Sequence, residues 1–202
     1  MKKKTEEVDW EAEYKQSELW EKSPHKYSLF AAKEVPSGKV LDLGCGEGYD
    51  CLYFASKKYN VLGIDVSESA IDRLKNEAEK NNLKIRTVVE DFNNFEIKEN
   101  FDVVLSYGAL QFFGDRFLNL ISELKSATNK GGVHSFYIFG DNGDFNDLAK
   151  HRFYFPAEQE LKDLYSDWEI LEFESKKVKL LIKGDNGEDL YNSMYKILVR
   201  KL

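Results

Sequence analysis

The chain has 202 residues, 42% hydrophobic and 32% charged, with 3 Pro and a formal net charge of −7. That suits one domain with its own core, and no apolar run approaches the ~20 residues that span a bilayer. The acidic balance argues against a phosphate backbone as partner. Two cysteines with no histidine at ligand spacing argue against a zinc site or a disulfide framework.

The start, MKKKTEEVDW, carries a basic triplet with no apolar segment behind it, so no signal peptide is expected. The expectation is a cytoplasmic protein with no nucleic-acid, membrane or metal partner, its oligomeric state open. DWEAEYKQSELWEK reads as a helix carrying Trp10, Tyr14, Leu19 and Trp20 among charges, and a short helix, KYSLFAAKEV, ends before Pro36. KVLDLG is then a brief apolar run, as a buried parallel strand should be. YDCLYFASKK reads as a helix and NVLGIDV as a second strand. In SESAIDRLKNEAEKNN, Ala70, Ile71, Leu74 and Ala78 share one helical face behind Ser67, a natural N-cap. KIRTVVED and FDVVLSY are strands three and four, DRFLNLISELKSATN is a helix closed by Gly131-Gly132, and VHSFYIFG is strand five. A short helix (AEQELKDLY), a strand (DWEILEFE) and two β-rich runs around GDNGED follow, with Asn186-Gly187 marking a hairpin. Alternating strands and helices indicate a Rossmann-like doubly wound α/β sheet that finishes in an antiparallel hairpin. The lysines at 176, 177 and 179 fall as one strand's solvent face would.

The first strand runs into VLDLGCGEGYD. The turn after such a strand lies at the carboxyl edge of the sheet, where open α/β folds bind ligands. The nicotinamide and flavin pattern is G-x-G-x-x-G, but here Gly44, Gly46 and Gly48 put the third glycine one residue early. Asp42, two residues before the first, would repel a pyrophosphate and suits a cationic ligand. No Gly-Lys-Ser/Thr follows, so a phosphate P-loop is excluded. S-adenosylmethionine fits: an amino acid, a sulfonium and an adenosine without phosphate.

At these residues the chain resembles the class I S-adenosylmethionine-dependent methyltransferases, whose sheet is seven-stranded with a C-terminal antiparallel hairpin. The resemblance implies cofactor contacts from Asp42, Gly44, Cys45, Gly46 and Gly48. It also implies a ribose contact from Asp65 beside Val66, adenine contacts from Asp91 and Phe92, and a lining of the methyl donor by Ser106 and Tyr107. Asp65 could instead cap the Ser67 helix, and Asp91 could be a surface turn residue. From roughly residue 25 to 202 the chain further resembles the tellurite-resistance methyltransferases, through RFYFPAEQELKDLYSDWEILEFE and GDNGEDLYNSMYKILVRKL. That family carries a histidine where His25 stands. It also has a His-Arg pair and an Arg around its last hairpin, where this chain has Leu181, Ile182 and Asp189. An apolar pair and an acid would not grip an oxyanion, so tellurite is not carried over as substrate.

The polar candidates on the acceptor side are His25, His151, Arg152, Tyr107 and Gln111, with Trp20 among the aromatic ones. His134, inside strand five, reads as structural. The aromatics of FFGDRF and HRFYF read chiefly as core, while Trp10, Tyr14 and Trp20 could form a lid. No catalytic base is evident. The expectation is one methyltransferase domain over 1–202: a helical lid segment at 1–36, a cofactor half at 37–140 and an acceptor half at 141–202. It would transfer a methyl group to a small molecule. A cofactor-binding protein without turnover and a protein-modifying enzyme are the alternatives. A dinucleotide oxidoreductase is opposed by the early third glycine, Asp42 and the hairpin.

Overall fold

The computed structural model describes residues 9–16, 22–91, 94–184 and 186–202. Five strands run parallel: β1 (Lys39–Leu43), β2 (Asn60–Asp65), β3 (Ile85–Val89), β4 (Phe101–Tyr107) and β5 (Thr128–Gly143). The hairpin of β6 (Trp168–Lys183) and β7 (Asp189–Lys201) joins antiparallel through β7, giving the order β3-β2-β1-β4-β5-β7-β6. The chain order reverses between β1 and β4, which places a crevice at their carboxyl ends.

Strand alternation divides the core between the two faces. Leu41, Leu43, Ile64, Phe136 and Ile197 pack on one side with α5 (Phe117–Ser126) and α7 (Glu158–Asp163). Val40, Val61, Val103, Leu105 and Leu198 pack on the other with α2 (Lys26–Glu34), α3 (Tyr49–Ser56) and α4 (Glu68–Lys80). α4 starts as its sequence dictates: the Ser67 hydroxyl accepts from the Ala70 amide at 3.1 Å, and Ala70, Ile71, Leu74 and Ala78 are buried. Fully burying Ile71 and Leu74 contributes about 1.5–3 kcal/mol each.

Three stretches differ from the sequence reading. The expected turn at 129–132 lies inside β5: Phe101 pairs with Thr128 and Val103 with Val133, so the intervening residues bulge out of register. Gly131 takes φ +79°, and a Cβ on Gly132 would sit 2.9 Å from the Asp102 carbonyl oxygen. DWEILEFE and the following β-rich run form one 16-residue strand. A short helix, α6 (Asp144–Ala149), is held from β7: the Tyr191 amide donates to Asp144 Oδ2 at 2.7 Å, and the Asn146 amide donates to Asn192 Oδ1 at 3.1 Å. Nothing local in its sequence announces it.

Candidate functional site

The loop 44–48 connects β1 to α3 at the carboxyl edge. Gly44, Gly46 and Gly48 all have positive φ, at 71°, 51° and 77°. Gly48 has a second reason to lack a side chain, because a Cβ there would meet Leu74 Cδ1 at 2.4 Å. The loop is pinned from β2: the Gly44 and Cys45 amides donate to the Ile64 carbonyl at 2.9 and 3.0 Å, and the Gly46 amide donates to Asp65 Oδ2 at 2.7 Å. Asp65 Oδ1 accepts from the Ser67 amide at 3.0 Å. Asp65 therefore braces both the glycine loop and the start of α4, and it retains oxygen lone pairs for a ligand.

Asp42 is buried in β1 and accepts from the Cys51 thiol at 3.2 Å. Asp50, at the start of α3, accepts from the His25 amide at 2.8 Å. Asp50 was missed in the sequence because it reads as an ordinary first-turn acid. Burial, then the charge of Asp50, holds the Asp42 carboxyl well above its ordinary range. Burial likewise raises Asp50 and Asp65. None of the three forms an ion pair among the described residues, so a cation is what this edge lacks. No group of three or more His, Cys, Asp or Glu is placed to hold a metal ion among the described residues. Cys45 is hydrogen-bonded with Cys51, but burial beside Asp42 and Asp65 lifts its thiol to about 11, so it is not a thiolate nucleophile.

The remaining expected cofactor residues are distributed unevenly. Val66 is exposed at the end of β2, and Asp91 is exposed just beyond β3. Ser106 is fully buried and donates to the Leu43 carbonyl at 2.9 Å, so its side chain ties β4 to β1 instead of lining a ligand. Phe92 and Trp20 lie outside the described residues.

On the acceptor side, His25 stacks on Tyr107 with ring centroids 4.3 Å apart and 13° between planes. Burial, then the charge of Lys196, lowers its pKa, so its ring is neutral at pH 7, and it makes no side-chain hydrogen bond among the described residues. The Tyr107 hydroxyl accepts from Ser28 Oγ at 2.9 Å and shares a 2.7 Å bond with Ser135 Oγ. Gln111 follows β4 in a 3-10 turn (Leu110–Arg116) and is 1% exposed. Its Nε2 donates to the Gly108 carbonyl at 2.6 Å, while its Oε1 has no partner among the described residues. An orphaned buried acceptor costs about 1–3 kcal/mol. The Arg152 guanidinium sits 5.7 Å over the Phe153 ring. His151 is exposed. His134 is the structural residue expected: buried between Thr128 Oγ1 at 2.7 Å and the Tyr165 hydroxyl at 2.8 Å, it is pushed by burial down to about 3.

The aromatics depart from the expectation that they chiefly build the core. Phe113, Phe117 and Tyr154 do pack there. The others form an unbroken arc of half-buried rings. Trp10 meets Phe112, which meets Phe153, and Phe145 and Phe139 carry the contact on to Tyr137 and His25. Successive centroids lie 4.8 to 6.0 Å apart. Trp10 belongs to α1 (Trp10–Gln16), which is anchored beside the glycine loop. Glu11 accepts from Ser67 Oγ at 2.6 Å and from the Ser69 hydroxyl at 2.7 Å, and Arg73 bridges Glu47 and the Tyr14 carbonyl. Two surface grooves of about 520 and 470 Å³ lie elsewhere, one along α4 and β3 and one between α5 and the start of β6, and contain none of these residues.

The family described as tellurite resistance protein TehB matches residues 11–195. The chain belongs to that family. It is 36% identical over 172 residues to the probable S-adenosyl-L-methionine-dependent methyltransferase TehB of Haemophilus influenzae, covering 85% of this chain and 60% of that one. The chain thus spans about 60% of the length of the curated TehB relatives it matches. The crystal structure of TehB from Haemophilus influenzae superposes with a TM-score of 0.76 at 33% identity, covering 88% of this chain and 62% of that one. A probable thiol methyltransferase 2 of Arabidopsis thaliana is 34% identical over 103 residues, half of this chain and 46% of that one. The seven-stranded sheet with its terminal hairpin is that of the class I methyltransferases.

Proposed function

We propose that this TehB-family chain is an S-adenosylmethionine-dependent methyltransferase acting on a small, partly apolar molecule. The observation that carries the reading is the convergence of Asp42, Asp50 and Asp65 on a glycine loop with no ion-pair partner among the described residues. A ligand with an ammonium and a sulfonium supplies that charge, and a pyrophosphate would be repelled. The loop's three left-handed glycines leave its main chain open to close approach. Asp65 has lone pairs left for ribose hydroxyls, and Val66 and Asp91 flank the strand ends where the adenosine would lie. Bound S-adenosylmethionine supplies an electrophilic methyl group, so the chain's own task is placement and exclusion of water.

The arc of half-buried rings from Trp10 to His25 supports an acceptor with an apolar body, and aromatic faces suit the positive charge on the group transferred. α1, lying over the edge, supports a small acceptor more than a protein one. The thiol methyltransferase among the relatives points to the same class. Tellurite finds no support: Asp189 is taken up by Lys179 at 2.7 Å and by Lys183, at the outer end of the hairpin.

Titration calorimetry with S-adenosylhomocysteine, with NADH as control, tests the reading. Micromolar binding of the first alone, followed by methyl transfer from labelled donor to small thiols, is the expected result. Binding without transfer to any acceptor would leave a cofactor-binding protein without turnover, and no binding at all would remove the cofactor reading.

A further inference from the structure

We infer that Gln111 Oε1 is the atom that selects the acceptor, and that it does so by accepting a hydrogen bond from the nucleophile about to be methylated. The substrate class is therefore protic: a thiol, hydroxyl or amine carrying hydrogen on the reacting atom, as opposed to an aprotic anion. The inference rests on the methyltransferase reading and goes beyond it.

The side chain is 1% exposed, yet its Oε1 has no hydrogen-bond partner among the described residues. The amide cannot resolve this by turning over. Its Nε2 lies 2.6 Å from the Gly108 carbonyl, and a flip would set two acceptor oxygens against each other. The backbone is equally fixed, since the Tyr154 amide donates to the Gln111 carbonyl at 2.9 Å and the Gly108 amide donates to the Tyr137 carbonyl at 2.8 Å. A buried acceptor held rigidly without a donor is a place prepared for one.

The position favours the acceptor over the cofactor as the source of that donor. Gln111 follows β4, which pairs with β1 on the side opposite β2, so it stands across the β1–β4 crevice from Asp65. The next residue, Phe112, is part of the ring arc between Trp10 and Phe153. Tyr107, which carries the His25 stack, immediately precedes the Gly108 that holds the amide. A carbonyl oxygen here rewards an S–H, O–H or N–H and repels a bare anion. In the transfer, the acceptor's heteroatom forms its bond to the methyl carbon as the carbon–sulfonium bond breaks. The cofactor departs as a neutral thioether, and the acceptor's proton is released to water.

The test uses the full chain loaded with S-adenosylhomocysteine. Phenylmethanethiol, phenylmethanol and phenylmethanamine are the protic probes, and thiocyanate and iodide the aprotic ones. Calorimetry measures their binding to the complex, and mass spectrometry with S-adenosylmethionine follows their methylation. At least one protic probe should bind, and Gln111→Met should weaken it tenfold or more, with S-adenosylhomocysteine affinity kept within twofold and aprotic probes unaffected. Gln111→Leu serves should the Met variant not fold. A tenfold loss of S-adenosylhomocysteine affinity in either variant would assign the oxygen to the cofactor and overturn the proposal. So would protic binding indifferent to the substitution, or no protic probe binding to a complex that still holds S-adenosylhomocysteine. Failure of the wild type to bind S-adenosylhomocysteine would instead defeat the methyltransferase reading itself.

Discussion

Asp65 Oδ2 lies 2.7 Å from the amide nitrogen of Gly46, so one carboxylate at the end of β2 shapes the glycine loop after β1. Two backbone donors, from Gly46 and Ser67, converge on it, and a buried hydrogen bond to a charged group is worth about 1.5–3 kcal/mol. Asp65→Ala is expected to weaken S-adenosylhomocysteine binding at least tenfold and to lower the melting temperature of the ligand-free protein as well. Calorimetry with parallel thermal unfolding reads both, and unchanged affinity would remove Asp65 from the cofactor site.

The three raised carboxyls of Asp42, Asp50 and Asp65 give opposite pH trends for stability and binding. A carboxyl whose folded pKa exceeds its unfolded value holds its proton more tightly when folded. Between the two values, its contribution to the stability of the ligand-free protein therefore rises as pH falls. A cationic ligand needs the ionised form, so its affinity falls over the same window. Lowering pH below neutral should thus weaken S-adenosylhomocysteine. The three carboxyls' gain in apo stability is opposed by His25 and His134, which burial keeps neutral in the fold and which take up protons on unfolding. Carboxylates held low by their partners, such as Glu11 and Asp189, lose their contribution only below the ordinary carboxylate range and leave this window alone. An affinity flat across it would show that no cation sits among the three.

Glu11 is held down to about 2, first by the Ser67 hydroxyl and then by Ser69. If α1 is a lid, this contact is its latch. Glu11→Gln keeps the size and removes the charge, and should speed S-adenosylhomocysteine dissociation several-fold in stopped flow with little change in thermal midpoint. A lower midpoint with an unaltered off-rate would make α1 a structural brace only.

His134→Phe should cost about 1–3 kcal/mol of stability, because it leaves the buried Tyr165 hydroxyl without its partner, while the Thr128 hydroxyl keeps its bond to the Leu124 carbonyl. Since His134 faces away from the site, kcat and KM on any accepted substrate should hold below the new melting temperature. A kinetic effect without a stability effect would contradict its structural assignment.

The glycine loop and the elements around it were legible because their signals are local. A glycine at positive φ, an N-cap serine and a stripe such as Ile71-Leu74-Ala78 each declare themselves within a few residues. Asp65 could be read as cap or as ribose contact, and its geometry accommodates both. Other parts of the chain were less legible, because their residues acquire meaning only through distant partners. Asp50 matters through the His25 amide 25 positions away, and α6 exists because β7 supplies its bonds. Composition likewise could not sort the phenylalanines: neighbours such as Phe112 and Phe113 point to different destinations, the arc and the core.

The ring arc has an evolutionary consequence. Its members come from α1, the α2 entry, the 3-10 turn, β5, α6 and the loop before α7, while the glycine loop and Asp65 occupy one contiguous stretch of chain. Were the arc to receive the acceptor as proposed, drift in those scattered segments could exchange one clientele for another without disturbing the glycine loop. A shared family name therefore predicts the reagent far better than it predicts the recipient.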